Sequence, residues 1–234
     1  MAITFTTTRE AAALHGVKVL VYGAAGSGKT SLCATTGGTP VIISAEAGLL
    51  SLRHADIPVI TVNNRDDVVE AYRFLAESAE AAPFDWVCLD SLSEIGEVAL
   101  ASLKSATKDP RQAYGALIDE MGELVRRFRD LPGKNVYLSA KLDKVKDEAT
   151  GTFYFGPSMP GSKTGAQLPY FFDEVFALKT VPDAEGTPVR VLQTSRDNQW
   201  EAKDRSGALD FYEAPSLAAI AAKVRGDALP TPAE

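Results

Sequence analysis

Cysteine is scarce in this chain, long apolar runs are missing, and positive charge is outweighed. Of its 234 residues only two are cysteines, Cys33 and Cys88. Both lie in apolar segments, distant in sequence from any histidine or from each other, which reads as small core residues and argues against a disulfide framework or a thiolate metal centre. No stretch reaches the roughly 18 apolar residues of a membrane span, and the opening "MAITFTTTREAAALHG" lacks the basic-then-apolar layout of a secretory signal. A cytoplasmic location without a membrane partner is therefore expected. Acidic residues number 31 against 24 basic ones, for a net charge of -7. That balance argues against a protein that coats duplex DNA through a global positive field. It leaves room for local basic grooves, and two segments supply them: Lys104, Lys108 and Arg111 in one, Lys141, Lys144 and Lys146 in the other. No internal repeat is visible. Nor is there the arginine-rich helical insert that closes over phosphates in small-molecule kinases, which ranks phosphotransfer to a small acceptor last.

What is present is a regular alternation. The apolar, β-branched runs "VKVLVYG", "TPVIISAE", "IPVITV", "FDWVCLDS" and "KNVYLSAK" are short and nearly continuously hydrophobic, as expected of strands buried on both faces of a sheet. Amphipathic helical patterns such as "RDDVVEAYRFLAESAE" and "AYGALIDEMGELVRRFRDL" separate them. The pattern predicts an α/β fold, a mostly parallel twisted sheet flanked by helices. "DEVFALKTV" and "PVRVLQTS", joined by the turn-rich "PDAEGTP", predict a C-terminal antiparallel edge hairpin. With 45% hydrophobic residues the chain suffices for one core, assigned to residues 17–225. Residues 1–16 form an N-terminal segment with a candidate inter-subunit contact. Residues 226–234 read as a flexible tail, and a second mobile stretch is expected around "DEATGTFYFGPSMPGSKTG".

The first strand runs into Gly23, Ala24, Ala25, Gly26, Ser27, Gly28, Lys29, Thr30 and Ser31, which fit G-x-x-x-x-G-K-[ST] between a strand and a helix. Glycines let backbone amides curl around phosphate, the helix start adds its positive dipole end, Lys29 reaches the outer phosphates and the Thr30 hydroxyl meets Mg²⁺. A carboxylate at a neighbouring strand end completes a metal site, and "WVCLDS" supplies Asp90, which read alone is also a helix N-cap. Glu46, just past the second strand in "SAEAG", stands where it can orient and deprotonate a water, or simply begin a helix as an acidic first-turn residue. Together these residues point to a nucleoside triphosphate with Mg²⁺, and leave the base and the reaction open. Arg53 and His54 are weaker candidates for flanking an adenine.

Taken together, "VLVYGAAGSGKTSL", "SAEAG", "WVCLDSLSEI" and "WEAKDR" resemble the RecA-like core P-loop ATPases. The closest likeness is to small phage-encoded ATPases with one such core that act in single-strand annealing and recombination, a phage AAA-type nucleotide-binding family. The resemblance spans residues 17–212. It implies Glu46 as catalytic base, and Lys203 and Arg205 as cations acting on the triphosphate of a neighbouring subunit in a filament or ring. It also implies two DNA-facing loops, residues 103–115 with Lys104, Lys108 and Arg111, and residues 141–165 with Lys144, Lys146, Phe153, Tyr154, Phe155 and Lys163. Read by itself, "TFYFG" is equally a small hairpin and "AKDRSG" an exposed turn. Where the family carries a polar sensor at the end of the strand following the metal carboxylate, this chain has Ser139 or Lys141 instead of the usual Gln or His. Phe5 resembles the start of an inter-subunit Phe-x-x-Ala segment, with Thr8 in place of the alanine. The expected activity is an assembly- and DNA-stimulated Mg²⁺-dependent ATPase that binds single-stranded DNA, in a bacterial host's cytoplasm and alongside a single-strand binding protein. The competing expectation is a regulatory or loader module that binds ATP with little turnover.

Overall fold

The computed structural model describes residues 5–8, 16–46, 48–146, 148–161 and 164–227. Its sheet contains β1 (Lys18–Gly23), β2 (Pro40–Ser44), β3 (Val59–Thr61), β4 (Trp86–Asp90), β5 (Asn135–Lys146), β6 (Phe153–Ser158), β7 (Glu174–Pro182), β8 (Pro188–Gln193), β9 (Lys203–Asp204) and β10 (Tyr212–Glu213). The order is β10-β8-β7-β1-β5-β4-β2-β3, with β6 beside β5 and β9 beside β7. The first five strands and β7 run parallel, which makes the centre of the sheet a doubly wound α/β core. β7 and β8 form the expected antiparallel hairpin, and the Asp183 carboxylate accepts from the Glu185 and Thr187 amides in its turn.

Side-chain alternation along buried strands sends each strand's apolar residues to two separate cores. Leu20, Tyr22, Ile43, Leu89 and Leu138 face α1 (Arg65–Glu77), α2 (Leu92–Ala106) and α3 (Pro110–Arg129), through Leu75, Ile95, Met121 and Phe128. Val19, Val21, Ile42, Cys88 and Phe176 face the other way, onto Leu32 and Cys33 of a 3₁₀ turn, Thr30–Thr35, and onto Leu217 and Ile220 of a C-terminal helix. Between β6 and β7 lies the single-turn α4 (Thr164–Gln167), and the C-terminal helix is α5 (Leu217–Arg225). Local chemistry starts these helices. Asn64 and Asp67 form a capping box on α1, Ser91 caps α2, and Asp109 with Pro110 opens α3.

The structure corrects three expectations. "IPVITV" becomes the outer strand β3, so Val59 is 40% exposed instead of buried on both faces. Residues 103–115 are not a loop: α2 continues to Ala106 and α3 begins at Pro110, so Lys104 and Arg111 are helical. The stretch expected to be mobile is a strand and a packed turn over residues 153–161, with Met159 in the core and Pro160 against Gly96 of α2. Lys163 lies outside the described residues, as does most of the 226–234 tail.

Candidate functional site

In an open α/β sheet the cleft beyond the carboxyl ends of the parallel strands is where ligands settle, because loops diverge there and leave backbone amides free. Here that cleft has a volume of about 710 Å³ and is walled by the turn after β1, by Glu46, Asp90 and Ser91, and by Lys141. Gly23, Ala24, Ala25, Gly26, Gly28, Lys29, Thr30 and Ser31 all line it. Gly26 and Gly28 have φ of 74° and 104°, conformations that side chains with a β-carbon rarely adopt. Ser27 is turned inward, and among the described residues its buried hydroxyl has no partner beside Gly23. The predicted helix start is realised as the 3₁₀ turn, with Lys29 at its N-cap.

Lys29 folds back on its own loop, its Nζ donating to the Gly23 and Ala24 carbonyls at 2.8 and 2.9 Å. Burial holds its ammonium below the ordinary lysine value, against the opposing pull of Asp90 and Glu46. The buried Tyr137 hydroxyl donates to the Lys29 carbonyl at 2.8 Å, tying the loop to β5. Thr30 Oγ1 donates to Asp90 Oδ2 at 2.6 Å. The other carboxylate oxygen of Asp90 accepts from the buried Ser139 hydroxyl. A hydroxyl and a carboxylate held this close at the lip of an anion cradle suit an oxygen-seeking cation such as Mg²⁺. Glu46 is exposed on the opposite wall, and its Oε1 accepts from Ser91 Oγ at 2.8 Å. Sequence spacing alone does not place Ser91 under Glu46; the β2 to β4 register does, setting Ser44 beside Asp90.

Of the other candidates, Lys141 lines the cleft and pairs with Glu94 at 2.6 Å, which raises its pKa. Arg53 and His54 are exposed and do not line it. Lys203 and Arg205 lie at the other end of the sheet. β9 pairs with the start of β7, at Glu174 and Val175, whereas Gly23 abuts Leu178. Lys203 Nζ donates to the Pro169 carbonyl at 2.6 Å, and Arg205 pairs with Asp173 at 2.6 Å. Neither reaches the phosphate loop of its own chain. Phe5 is 90% exposed.

The residues expected at nucleic acid are partly assembled and partly separated. Register puts Lys144 opposite Phe155 and Lys146 opposite Phe153, so these four share one face of the β5–β6 hairpin. The Lys144 ammonium sits 3.8 Å from the Phe153 ring centroid and 5.9 Å from that of Phe155. Tyr154 turns to the opposite face, where it bonds Glu201 under Arg196. The row continues through residues that the sequence reading missed: Phe155 stacks on Trp200 at 4.4 Å, and Lys179 lies over both Trp200 and Tyr212. Tyr22, the residue before Gly23, donates to the Phe155 and Glu201 carbonyls, joining this row to the strand that carries the phosphate loop. Lys104 stands over Tyr114, which in turn touches Gly161 in the turn after β6, so residues 103–115 meet the 141–165 stretch at that turn. Arg190 of β8 is a further omission; it lines the cleft beside Gly28.

The family described as AAA domain matches residues 15–206. Among solved structures the chain is similar to a KaiC-like protein from the hyperthermophilic archaeon Pyrococcus horikoshii OT3, at 15% identity and a TM-score of 0.41, covering 76% of this chain and 77% of that one. No curated protein matches.

Proposed function

The chain belongs to the AAA domain family, and from that premise we propose that it is a Mg²⁺-dependent ATPase that works on single-stranded DNA as a homo-oligomer. The observation that carries the ATPase reading is the contact between Thr30 and Asp90 at the lip of the glycine loop. It joins the two oxygen ligands such chemistry needs, next to Lys29 and the inward, unpartnered Ser27 hydroxyl.

The amides of residues 23–31 bind the inner phosphates of ATP, and Lys29 exchanges its loop carbonyls for phosphate oxygens. Thr30 and Asp90 would hold Mg²⁺, which when bound would supply neutralisation of phosphate charge. Glu46 Oε2 accepts the proton of a water aligned with the terminal phosphate, while Ser91 fixes the other oxygen. Glu46 is exposed in the single chain, so water is excluded only when another surface closes over it. Lys203 and Arg205 of a neighbouring copy are the proposed cations on that surface, worth about 10³-fold or more in rate.

Support for single-stranded DNA comes from the hairpin face, where Lys144 and Lys146 alternate with Phe153 and Phe155. Rings next to cations stack bases and attract phosphates without reading sequence, at about 1–3 kcal/mol per stacked base. A single-strand binding protein is a further proposed partner. The test is ATP hydrolysis with and without an oligonucleotide. Stimulated turnover that Glu46→Gln abolishes while nucleotide binding persists is the expected result. Binding without turnover would favour the loader module instead.

A further inference from the structure

We propose that Arg190 is a phosphate ligand acting in cis, a second cation that clamps the inner phosphates of the nucleotide from the β8 side of the loop. The inference rests on the reading that the cleft holds a nucleoside triphosphate, and adds a residue to it.

The geometry begins with register. Arg190 lies opposite Thr180 and shares a face with Leu192, whose side chain packs in the core beneath the 3₁₀ turn Thr30–Thr35. β8 is two strands from β1, about 10 Å at ordinary strand spacing. Only a long side chain spans that gap, and Arg190 does. A β-carbon built on Gly28 would stand 2.5 Å from Arg190 Nη1, 3.7 Å from Cζ and 3.8 Å from Cδ. The guanidinium therefore rests against the backbone of Gly28, in space that a β-carbon there would fill.

Its charge is exposed, and among the described residues no carboxylate comes within ion-pair distance of it. The cleft's own carboxylates are engaged elsewhere, Asp90 with Thr30 and Ser139, Glu46 with Ser91. An unpaired guanidinium beside an amide cradle is matched by a phosphate, whose oxygens accept its planar fork in pairs. Loop amides of this motif hold the α and β phosphates, so a cation leaning on Gly28 reaches those oxygens and not the terminal group alone. Its contribution is uniform binding, felt by ADP and ATP alike. That separates it from Lys203 and Arg205, which are proposed to act on the outer phosphate of another chain.

The test is calorimetric titration of the full chain with ADP, a nonhydrolysable ATP analogue and AMP, for wild type, Arg190→Ala and Arg190→Lys. Arg190→Ala is expected to weaken ADP and the analogue by the same factor, about tenfold to a hundredfold, as for a charge-assisted contact. Arg190→Lys should restore part of this, and AMP should change least. Unchanged ADP affinity in Arg190→Ala would overturn the inference, as would a loss confined to the triphosphate. If wild type binds and Arg190→Ala binds as tightly, this inference alone falls; if wild type binds neither nucleotide, the cleft reading falls with it.

Discussion

Lys29 satisfies itself on the Gly23 and Ala24 carbonyls at 2.8 and 2.9 Å, so phosphate binding is an exchange of partners, not the filling of an empty socket. Lys29→Ala is expected to lose nucleotide affinity with little loss of stability, checked by titration beside a melting curve, because the contacts it gives up are local. Asp90 is the opposite case. It is buried and accepts from two hydroxyls through its two oxygens. In Asp90→Asn one of those donors would face an amide N–H₂. That change should cost about 1–3 kcal/mol of stability as well as hydrolysis, read from denaturant unfolding. Gly28 carries a double constraint, its φ of 104° and the Arg190 guanidinium. Gly28→Ala should therefore impair nucleotide binding even where Arg190 is also removed, since freeing the space leaves the backbone strain.

Among the elements, β9 pairs with β7 in a register that sets two carboxyl groups side by side. Glu174 is buried opposite Asp204, and burial together with that neighbouring charge pushes its pKa up to about 8 from the ordinary 4.5. The unfolded chain releases this proton near 4.5 while the folded one keeps it, so between those values the native state binds more protons and stability falls as pH rises. Above about 8 the loss is complete. Glu174→Gln, neutral throughout, should flatten this limb, seen by comparing urea midpoints at pH 5 and pH 8. For the β5–β6 hairpin the expectation concerns ligand and not stability. Lys144→Ala and Phe153→Ala, both at exposed positions, should each weaken oligonucleotide binding, and the lysine variant should also lower its salt dependence. An effect of Tyr154→Ala alone would point to the opposite face of the hairpin.

At the scale of the molecule, the cleft and the β9 cations sit at opposite ends of one sheet. A single chain therefore does not join them; in the proposed trans arrangement a head-to-tail neighbour would. Turnover per chain is then expected to rise with protein concentration. Mixing Glu46→Gln with the double variant Lys203→Ala and Arg205→Ala should recover activity that neither has alone, because each supplies what the other lacks at one interface. No recovery on mixing would count against the trans arrangement.

Alternating short apolar runs and amphipathic helices specify the α/β class. That the phosphate loop, Asp90 and Glu46 share one rim was legible too, since each lies at or just past the end of a buried strand. Those features are local, so composition and spacing suffice to determine them. Tertiary structure alone decided what depends on strand order and register: Ser139 on Asp90, Ser91 on Glu46, the Phe155 and Trp200 stack, and Arg190 over Gly28. These pairs lie far apart along the chain, and nothing in a linear pattern says which strands become neighbours. Residues 103–115, expected as a loop, and the stretch around 147–165, expected to be mobile, came out otherwise, held by helix caps and by the packing of Met159 and Pro160, whereas the hairpin alternative for "TFYFG" is what β5 and β6 form. Contacts from distant segments supply the free energy that local propensity lacks there.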